Sequence, residues 1–222
     1  RELALEIEID PLEQIDEDNF SKGLNTTQEC NAALKMLEGN REERIQGLRI
    51  FCEYRDQRSF PLLLPLLDQP CPVERMSAVY ALGRNPCPSA VQKLVSLLET
   101  DDNAYVRRAT AWSLANYDNQ IVLEPLINAL KNDVAAVRLW SSSSLAEIGN
   151  VSFENAQLAA EQLLISLKID NESGVRSNCI WSLCRLFEKL DNTFQECFVD
   201  ECTKIALFDK EPSVMEEAKT AL

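Results

Sequence analysis

A block of nine residues recurs along the chain, and its spacing constrains the fold more than any other feature. The block opens with Val-Arg, continues with small residues and ends on a leucine eight residues after the valine, as from Val106 to Leu114. Its arginines follow one another at steps of 31, 32, 31 and 38 residues: Arg44, Arg75, Arg107, Arg138 and Arg176. Steps of this size are typical of a two-helix unit of ~40 residues or slightly fewer. The sequence therefore predicts a stack of helix pairs.

The copies differ in quality. A last copy starts at Val214, where Met215 replaces the arginine. In the copy that contains Arg75, Glu74 takes the place of valine. The first copy ends on Phe51 instead of leucine and is the weakest.

A second amphipathic stretch precedes each block and is predicted to be the first helix of each pair. Leu94, Leu97 and Leu98 show the three- and four-residue spacing of a helix face. Asp, Asn and Ser residues in the turns that follow can cap the second helix. The predicted first helices are Ser59–Leu67, Ser89–Leu98, Ile121–Leu130, Glu154–Leu167 and Thr193–Phe208.

The block resembles the HEAT repeat, through an Asp, then Val-Arg, then small residues, then Leu followed by Gly, Ala or Cys. The resemblance covers residues 30 to 222 and implies an all-α, right-handed α-solenoid of about six helix pairs, for which we set the bounds 28–222. It also implies that the recurrent arginine reaches back to turn carboxylates or carbonyls and ties repeats together. The predicted partners are Asp101 or Asp102 for Arg107, and Asp170 for Arg176.

Residues 1–27 are predicted to form an acidic N-terminal arm. The chain carries 36 acidic and 22 basic residues, a net charge of −14. Eight acidic residues face only Arg1 in the first twenty positions, which is typical of a solvated arm or of a docking arm for a basic partner. Nucleic acid and anionic membranes are poor partners for such a charge, because both need a basic surface. No apolar run reaches the ~18 residues of a membrane helix.

Eight cysteines and no histidine limit the chemistry. Without histidine, Ser-His-Asp and Cys-His catalytic groups and His-ligated zinc sites are excluded. Cysteines at positions where the repeat takes a small apolar residue indicate a reducing, cytoplasmic compartment, or the chloroplast stroma if a transit peptide has been removed. The chain starts without Met and reads as the ordered part of a longer protein.

Two cysteine pairs have a five-residue step, Cys179 with Cys184 and Cys197 with Cys202. On one helix this step separates the sulfurs by ~140° beyond a full turn, which is poor geometry for a metal. Cys179 and Cys184 are predicted to be buried small residues, and no metal site or resident cofactor is assigned. Cys71 and Cys87 precede prolines near turns and are the candidate reactive thiols.

The second helices are expected to line the concave surface of a HEAT-like stack. The valine, the residue four later and the leucine form the core stripe, so the second, third, sixth and tenth positions after the valine should face the groove. This face collects all three tryptophans of the chain, which is typical of an interaction site. The predicted groove residues are Met76, Tyr80, Arg84, Arg108, Trp112, Asn116, Leu139, Trp140, Ser143, Trp181 and Arg185, with Glu147 and Asn178 on the same face. No catalytic residue is predicted.

Two segments, Ala-Val-Tyr-Ala-Leu-Gly-Arg at 78–84 and Arg-Arg-Ala-Thr-Ala-Trp-Ser-Leu-Ala at 107–115, resemble the cyanobacterial HEAT proteins grouped with E/F-type phycobilin lyases. These proteins attach bilins to phycobiliproteins, often as complexes of two HEAT chains. The resemblance implies a bilin as a transferred ligand, with ring stacking on the groove aromatics and arginines on the propionates. The implied partner is a phycobiliprotein subunit or a second HEAT chain.

Two alternatives share the same protein-binding groove. One is a scaffold that binds an A-type iron–sulfur carrier, and the other is an assembly factor of a photosynthetic or other complex, without catalysis. Deoxyhypusine hydroxylase, a HEAT enzyme with a His-Glu di-iron site, is excluded by the absence of histidine. All readings share a protein-binding scaffold or chaperone.

Overall fold

The structure is a computed structural model that describes residues 26–222. Within this range the chain forms twelve α-helices and no strand, which confirms the predicted all-α fold. The helices are α1 (Thr26–Leu37), α2 (Arg41–Glu53), α3 (Phe60–Leu63), α4 (Pro72–Arg84), α5 (Val91–Thr100), α6 (Ala104–Leu114), α7 (Leu123–Asn132), α8 (Ala135–Gly149), α9 (Phe153–Ile169), α10 (Ser173–Leu186), α11 (Asn192–Phe208) and α12 (Pro212–Ala221).

The described residues divide into two compact units, the first ending at Leu94 and the second running from Val95 to Leu222. The acidic arm predicted for residues 1–27 lies outside the described residues, except for Thr26 and Thr27, which already belong to α1. A single continuous array over 28–222 stays a prediction. None of the helices in the described range is long and apolar enough to cross a membrane.

In the first unit, α1 and α2 form a closely packed pair. Asn40 begins α2 with a capping box: its side chain accepts from the Glu43 N–H at 3.1 Å, and the Glu43 carboxylate accepts from the Asn40 N–H at 2.7 Å. Gly47 allows the two helices to approach, because a Cβ there would lie 2.9 Å from the carbonyl oxygen of Ala33. Leu48 and Phe51 are fully buried in this unit.

The predicted first helix Ser59–Leu67 is broken by its prolines. Only Phe60–Leu63 is α-helical, and Leu64–Asp68 continues as a 3₁₀ helix. Pro65 has no N–H to donate to the carbonyl four residues earlier, so the α-helical ladder cannot continue through it.

The second unit stacks its second helices side by side. Contacts join α6 to α8, α8 to α10 and α10 to α12, while α7, α9 and α11 pack against them as the other layer. The repeat valines and leucines are buried, as predicted for the core: Val106, Leu114, Val137, Leu145, Val175, Leu183 and Val214. Leu222, the leucine of the last copy, is the exception and is exposed.

The recurrent arginines of the second unit form a ladder along the turns. Arg138 binds the carboxylate of Asp170 through two N–H groups at 2.7 and 2.8 Å and donates to the carbonyl of Asp133 at 2.8 Å. Arg107 binds Asp133 and the Asp101 carbonyl in the same way, and Arg176 binds Asp209 and the Asp170 carbonyl.

The ladder corrects part of the prediction. Each arginine takes a carbonyl from its own turn, as expected for Asp101 and Asp170, but its carboxylate comes from the turn of the following pair. A planar guanidinium has five donors in a fixed fork, so one edge can bind each turn. In this way every arginine ties two successive helix pairs together.

Hydrogen bonds to the ladder carboxylates also change their acidity. Burial alone would raise the pKa of Asp170, but the hydrogen bonds from Arg138 and from the Glu172 N–H, with the charges of Arg138 and Arg176, lower it below its usual value. The pKa of Asp209 is likewise lowered, because Arg176 and the Glu211 N–H outweigh burial. The ionised form is therefore the one that the folded chain stabilises.

The first unit has a variant of the same contact. Arg44 binds the carboxylate of Glu74 at 2.7 Å and donates to the carbonyl of Gly39 at 3.0 Å. Glu74 is 2% exposed and stands where the copies of Arg107, Arg138 and Arg176 have valine. The carboxylate thus comes from helix α4 and not from a turn.

Candidate functional site

Helices α6, α8, α10 and α12 of the second unit share a surface formed by the second, third, sixth and tenth positions after each repeat valine. We call this surface the second-helix face. Trp112, Trp140 and Arg108 are half-buried there, and Leu139 and Ser143 are too. The remaining predicted residues on these helices, Asn116, Trp181 and Arg185, are exposed, as is Glu147. The predicted groove residues of the second unit therefore all retain accessible surface.

The predicted groove residues of the first unit are placed differently. Met76 is 2% and Tyr80 is 0% exposed, so the expectation that they face solvent is wrong. Every residue from Met76 to Gly83 is buried, which leaves this part of α4 without a free side. Arg84, at the end of the helix, is half-buried.

The sixth position shows how accessibility changes from copy to copy. Tyr80 is fully buried, Trp112 and Ser143 are half-buried, Trp181 is 40% exposed, and Thr220 is exposed. The accessible part of the predicted site therefore lies toward the later helices of the second unit.

An open cleft of about 300 Å³ lies at this accessible part. Residues of α8, α10 and α12 line it: Ser143, Gly174, Ser177, Asn178, Trp181 and Glu217. The lining combines an aromatic ring, hydroxyl and amide groups and one carboxylate, which are the groups that fix a polar ligand in a partly apolar site.

Asn178 joins α10 to α8 at the floor of the cleft. Its side-chain N–H groups donate to the Leu139 carbonyl at 3.1 Å and to the hydroxyls of Ser142 and Ser143 at 2.7 Å. The Ser182 hydroxyl donates to the Ser142 carbonyl at 2.9 Å in the same interface. These polar contacts fix the two helices against each other, so the cleft is preformed.

The charges beside the cleft are partly compensated. The Arg185 guanidinium lies 5.0 Å from the centre of the Trp181 ring and binds the Glu147 carboxylate at 2.7 Å. Arg108 lies over the Tyr105 ring at 5.5 Å. Arg185 is therefore already engaged by a ring and a carboxylate.

A second cavity of about 410 Å³ lies elsewhere in the second unit. It is lined by Leu98, Glu99, Arg107, Pro125, Asn128, Ala129, Asn132, Asp133 and Val134. It includes the ladder pair of Arg107 and Asp133, so its polar groups are already used to hold helix pairs together.

The cysteines follow the predictions only in part. Cys179 is buried as predicted, and burial raises the pKa of its thiol. Cys184, predicted to be buried, is exposed, and Cys87, predicted to be accessible, is buried. Other copies have glycine or alanine at the position of Cys184. Such small residues indicate close backbone packing, but they do not determine the direction of a larger side chain.

Cys71, the other candidate thiol, is half-buried, and its sulfur accepts a hydrogen bond from Arg41 at 3.0 Å. Burial raises the pKa of Cys52 and of Cys202 to about 12. Among residues 26–222, no three His, Cys, Asp or Glu side chains are grouped as a metal would require.

Sequence reasoning missed three residues of the cleft, Gly174, Ser177 and Glu217. Ser177 and Glu217 occupy the second and third positions of their copies. Extending the same register to the degenerate last copy, in which Met215 replaces arginine, would have found Glu217.

Comparisons with known proteins agree on the fold. The family described as HEAT repeats matches residues 31–115 and 91–184. No curated protein matches the chain.

Several solved structures are similar at low sequence identity. The complex of CpcE and CpcF of phycocyanin lyase from Nostoc sp. PCC7120 is 23% identical, with a TM-score of 0.58, and the match covers 75% of this chain and 99% of that one. A designed armadillo repeat protein in complex with the peptide (KR)4 is 19% identical, with a TM-score of 0.57 over 89% of this chain and 96% of that one. An engineered protein is 21% identical, with a TM-score of 0.57 over 91% and 93%.

At these identities the likeness concerns the fold alone, and it is a fold of stacked helical repeats. Such solenoids present extended surfaces on which other proteins bind. The matched segments span most of the sequence, from residue 31 to residue 184. The chain therefore belongs to the HEAT-repeat family and has the scaffold fold of a protein-binding repeat protein.

Proposed function

We propose that this chain acts as a scaffold or chaperone that binds another polypeptide on the second-helix face of its second unit. The observation that carries the proposal is the 40% exposed Trp181 beside a preformed cleft of about 300 Å³. Tryptophan is enriched among the residues that contribute most to protein–protein binding, because it buries a large surface with few rotatable bonds.

Trp140 and Trp112 support the proposal because they extend the aromatic surface onto α8 and α6. Each is half-buried, so its outer part is available for contact while its inner part is fixed by packing. Anchors held in place before binding lose little conformational freedom when a partner arrives.

We propose bilin handling as the more specific form of this function. Its support is the likeness in fold to the CpcE–CpcF complex over 99% of that chain. The second-helix face also offers rings on which a flat tetrapyrrole could stack, and the cations Arg108 and Arg185 for its propionates. The polypeptide partner would then be a phycobiliprotein subunit or a second HEAT chain.

Photo-crosslinking at matched positions tests polypeptide binding. Trp181→p-benzoylphenylalanine places the crosslinker at the cleft, and Phe208→p-benzoylphenylalanine places it on an aromatic residue that is 81% exposed on α11, away from the second-helix face. In the native cell we expect one protein, identified by mass spectrometry, to be linked from position 181 and not from position 208. The same products from both positions, or none from 181, would refute the proposed face.

Absorbance tests the bilin. The purified chain mixed with phycocyanobilin should shift the visible absorbance of the pigment, and Trp112→Ala and Trp181→Ala should each abolish the shift. Phe208→Ala is the control. An unchanged spectrum, together with a crosslinked partner at position 181, would leave a scaffold that handles no bilin.

A further inference from the structure

The cleft beside Trp181 has one ionisable group in its lining, the carboxylate of Glu217. Glu217 is half-buried on α12. Among the described residues it has neither an ion-pair nor a hydrogen-bond partner. A partly desolvated carboxylate without a partner favours the arrival of a cation.

Neighbouring charges do not supply that cation. The positive charge of Arg185 is compensated by Glu147 at 2.7 Å. Lys219 lies 3.5 Å from Glu216, the residue before Glu217. The cleft therefore keeps a local negative charge, in a chain whose net charge is −14.

Trp181 supplies a second feature that attracts cations. Its ring already holds the Arg185 guanidinium 5.0 Å from its centre, so its electrostatic field accommodates a cation. Part of the same side chain lines the cleft together with Glu217. A ligand cation in the cleft would thus contact an indole and a carboxylate at once.

Asn178 supplies a hydrogen-bond acceptor. All three contacts recorded for its side chain are made by the amide nitrogen, whose two N–H groups are shared among three acceptors on α8. Its carbonyl oxygen receives no donor from the described residues. A lysine or arginine head group carries the N–H donors that this oxygen and the Glu217 carboxylate require.

We infer that the cleft binds a lysine or arginine side chain of the partner polypeptide, with Glu217 as the counter-charge, Trp181 as the aromatic wall and Asn178 as the acceptor. The inference rests on the proposed function in that the second-helix face binds a polypeptide. It adds the chemistry of that polypeptide: a basic segment, drawn in by the overall negative charge and fixed by this cleft.

Two glutamates of the second unit provide a matched pair of variants. Glu217→Gln removes the carboxylate that lines the cleft, and Glu161→Gln removes an equal charge that is exposed on α9, outside the second-helix face. Both variants change the net charge of the chain by the same amount. A difference between them therefore reports the cleft and not general attraction between a basic peptide and an acidic protein.

The probe is a fluorescein-labelled octapeptide of alternating lysine and arginine, with a neutral octapeptide of glutamine and serine beside it. Fluorescence anisotropy at about 150 mM salt limits long-range attraction. We expect Glu217→Gln to raise the Kd of the basic peptide about tenfold and Glu161→Gln to change it less than about twofold. The neutral peptide should bind weakly to all variants. Circular dichroism checks that each variant is folded.

Trp181 gives a direct second measurement. In a Trp112→Phe, Trp140→Phe background it is the sole tryptophan, and the basic peptide should change its fluorescence with the Kd that anisotropy gives for this same double variant. Equal effects of the two glutamate variants, or no fluorescence change on binding, would overturn the cation site. A partner crosslinked at position 181 whose binding ignores Glu217→Gln would overturn it too, while leaving polypeptide binding intact.

Discussion

In the second unit, the arginine ladder along the turns and the second-helix face are built from the same repeats. The ladder repeats the same residue types, whereas the second-helix face changes them from copy to copy. Along the ladder the α6, α8 and α10 copies repeat one arrangement, an arginine between an aspartate and a main-chain carbonyl, at distances between 2.7 and 3.2 Å. On the second-helix face the sixth position changes from Trp112 to Ser143, Trp181 and Thr220. Residues that stay the same hold the stack together, whereas residues that change make each copy's surface different.

Burial explains this difference. The side chains of Arg138 and Asp170 are 19% and 6% exposed, so each would be left desolvated without the other. The exposed pair of Arg185 and Glu147 remains largely hydrated. The ladder therefore tolerates little change, while the second-helix face is free to vary.

The largest expected effect is at the ladder. Arg138→Met leaves Asp170 without its bidentate partner, and we expect the free energy of unfolding to fall by about 3 kcal/mol. Urea denaturation followed by circular dichroism measures it. Lys219→Gln, which removes one member of an exposed pair with Glu216, is the control and should change stability by less than about 0.5 kcal/mol. A similar loss in both variants would show that the ladder is no more important than a surface ion pair.

Acid should weaken the ladder selectively. Because the folded pKa of Asp170 is lowered, its ionised form stabilises the fold above the unfolded pKa of about 3.9, and this contribution is lost as pH falls through the folded value. Asp170→Asn should therefore cost about 2 kcal/mol at neutral pH, and the gap to the unsubstituted chain should narrow below pH ~4. Urea titrations at several pH values measure the gap. A gap that stays constant down to pH ~2 would contradict this account.

The sequence predicted the ladder and the core better than the surface. Val137 and Leu145 could be placed because helical periodicity alone defines the stripe that they share. To predict which aspartate each arginine pairs with, one must also know the distance between successive helix pairs. The sequence of a single copy does not contain that distance. This is why Arg107 was matched with the carboxylates of its own turn instead of Asp133.

Surface predictions failed where a helix is enclosed on more than one side. Helical periodicity predicts which side of α4 Tyr80 is on, but it does not predict whether other residues pack against that side. Tyr80 is buried. At Trp181 the same register gave the right result, because this part of α10 remains accessible. Glu217 was missed since the face positions were not traced into the last copy, although its start at Val214 was recognised.

An intermediate effect is expected on the second-helix face. Trp181→Ala removes the aromatic wall of the cleft, so we expect the Kd of the basic peptide to rise about tenfold, with a loss of stability of about 1 kcal/mol because the ring is only partly buried. Anisotropy and urea denaturation measure the two quantities on one preparation. Phe208→Ala, on an exposed aromatic outside this face, should leave peptide binding unchanged. Weaker binding in both variants would mean that exposed aromatic surface in general, and not the cleft, holds the peptide.

The smallest expected effect, and the one with opposite sign, is at Arg185. This side chain lies over the Trp181 ring and pairs with Glu147, so it occupies groups that a ligand cation could use. Arg185→Gln should change the free energy of unfolding by less than about 0.5 kcal/mol, because the ion pair is exposed. At the same time the basic peptide should bind about twofold more tightly, since the ring and Glu147 become available to it. Arg185→Lys keeps the charge and should leave the affinity nearly unchanged. If Arg185→Gln instead weakened binding of the basic peptide, Arg185 would be supporting the cleft through its contacts with Trp181 and Glu147, and the account in which it competes with the ligand cation would be wrong.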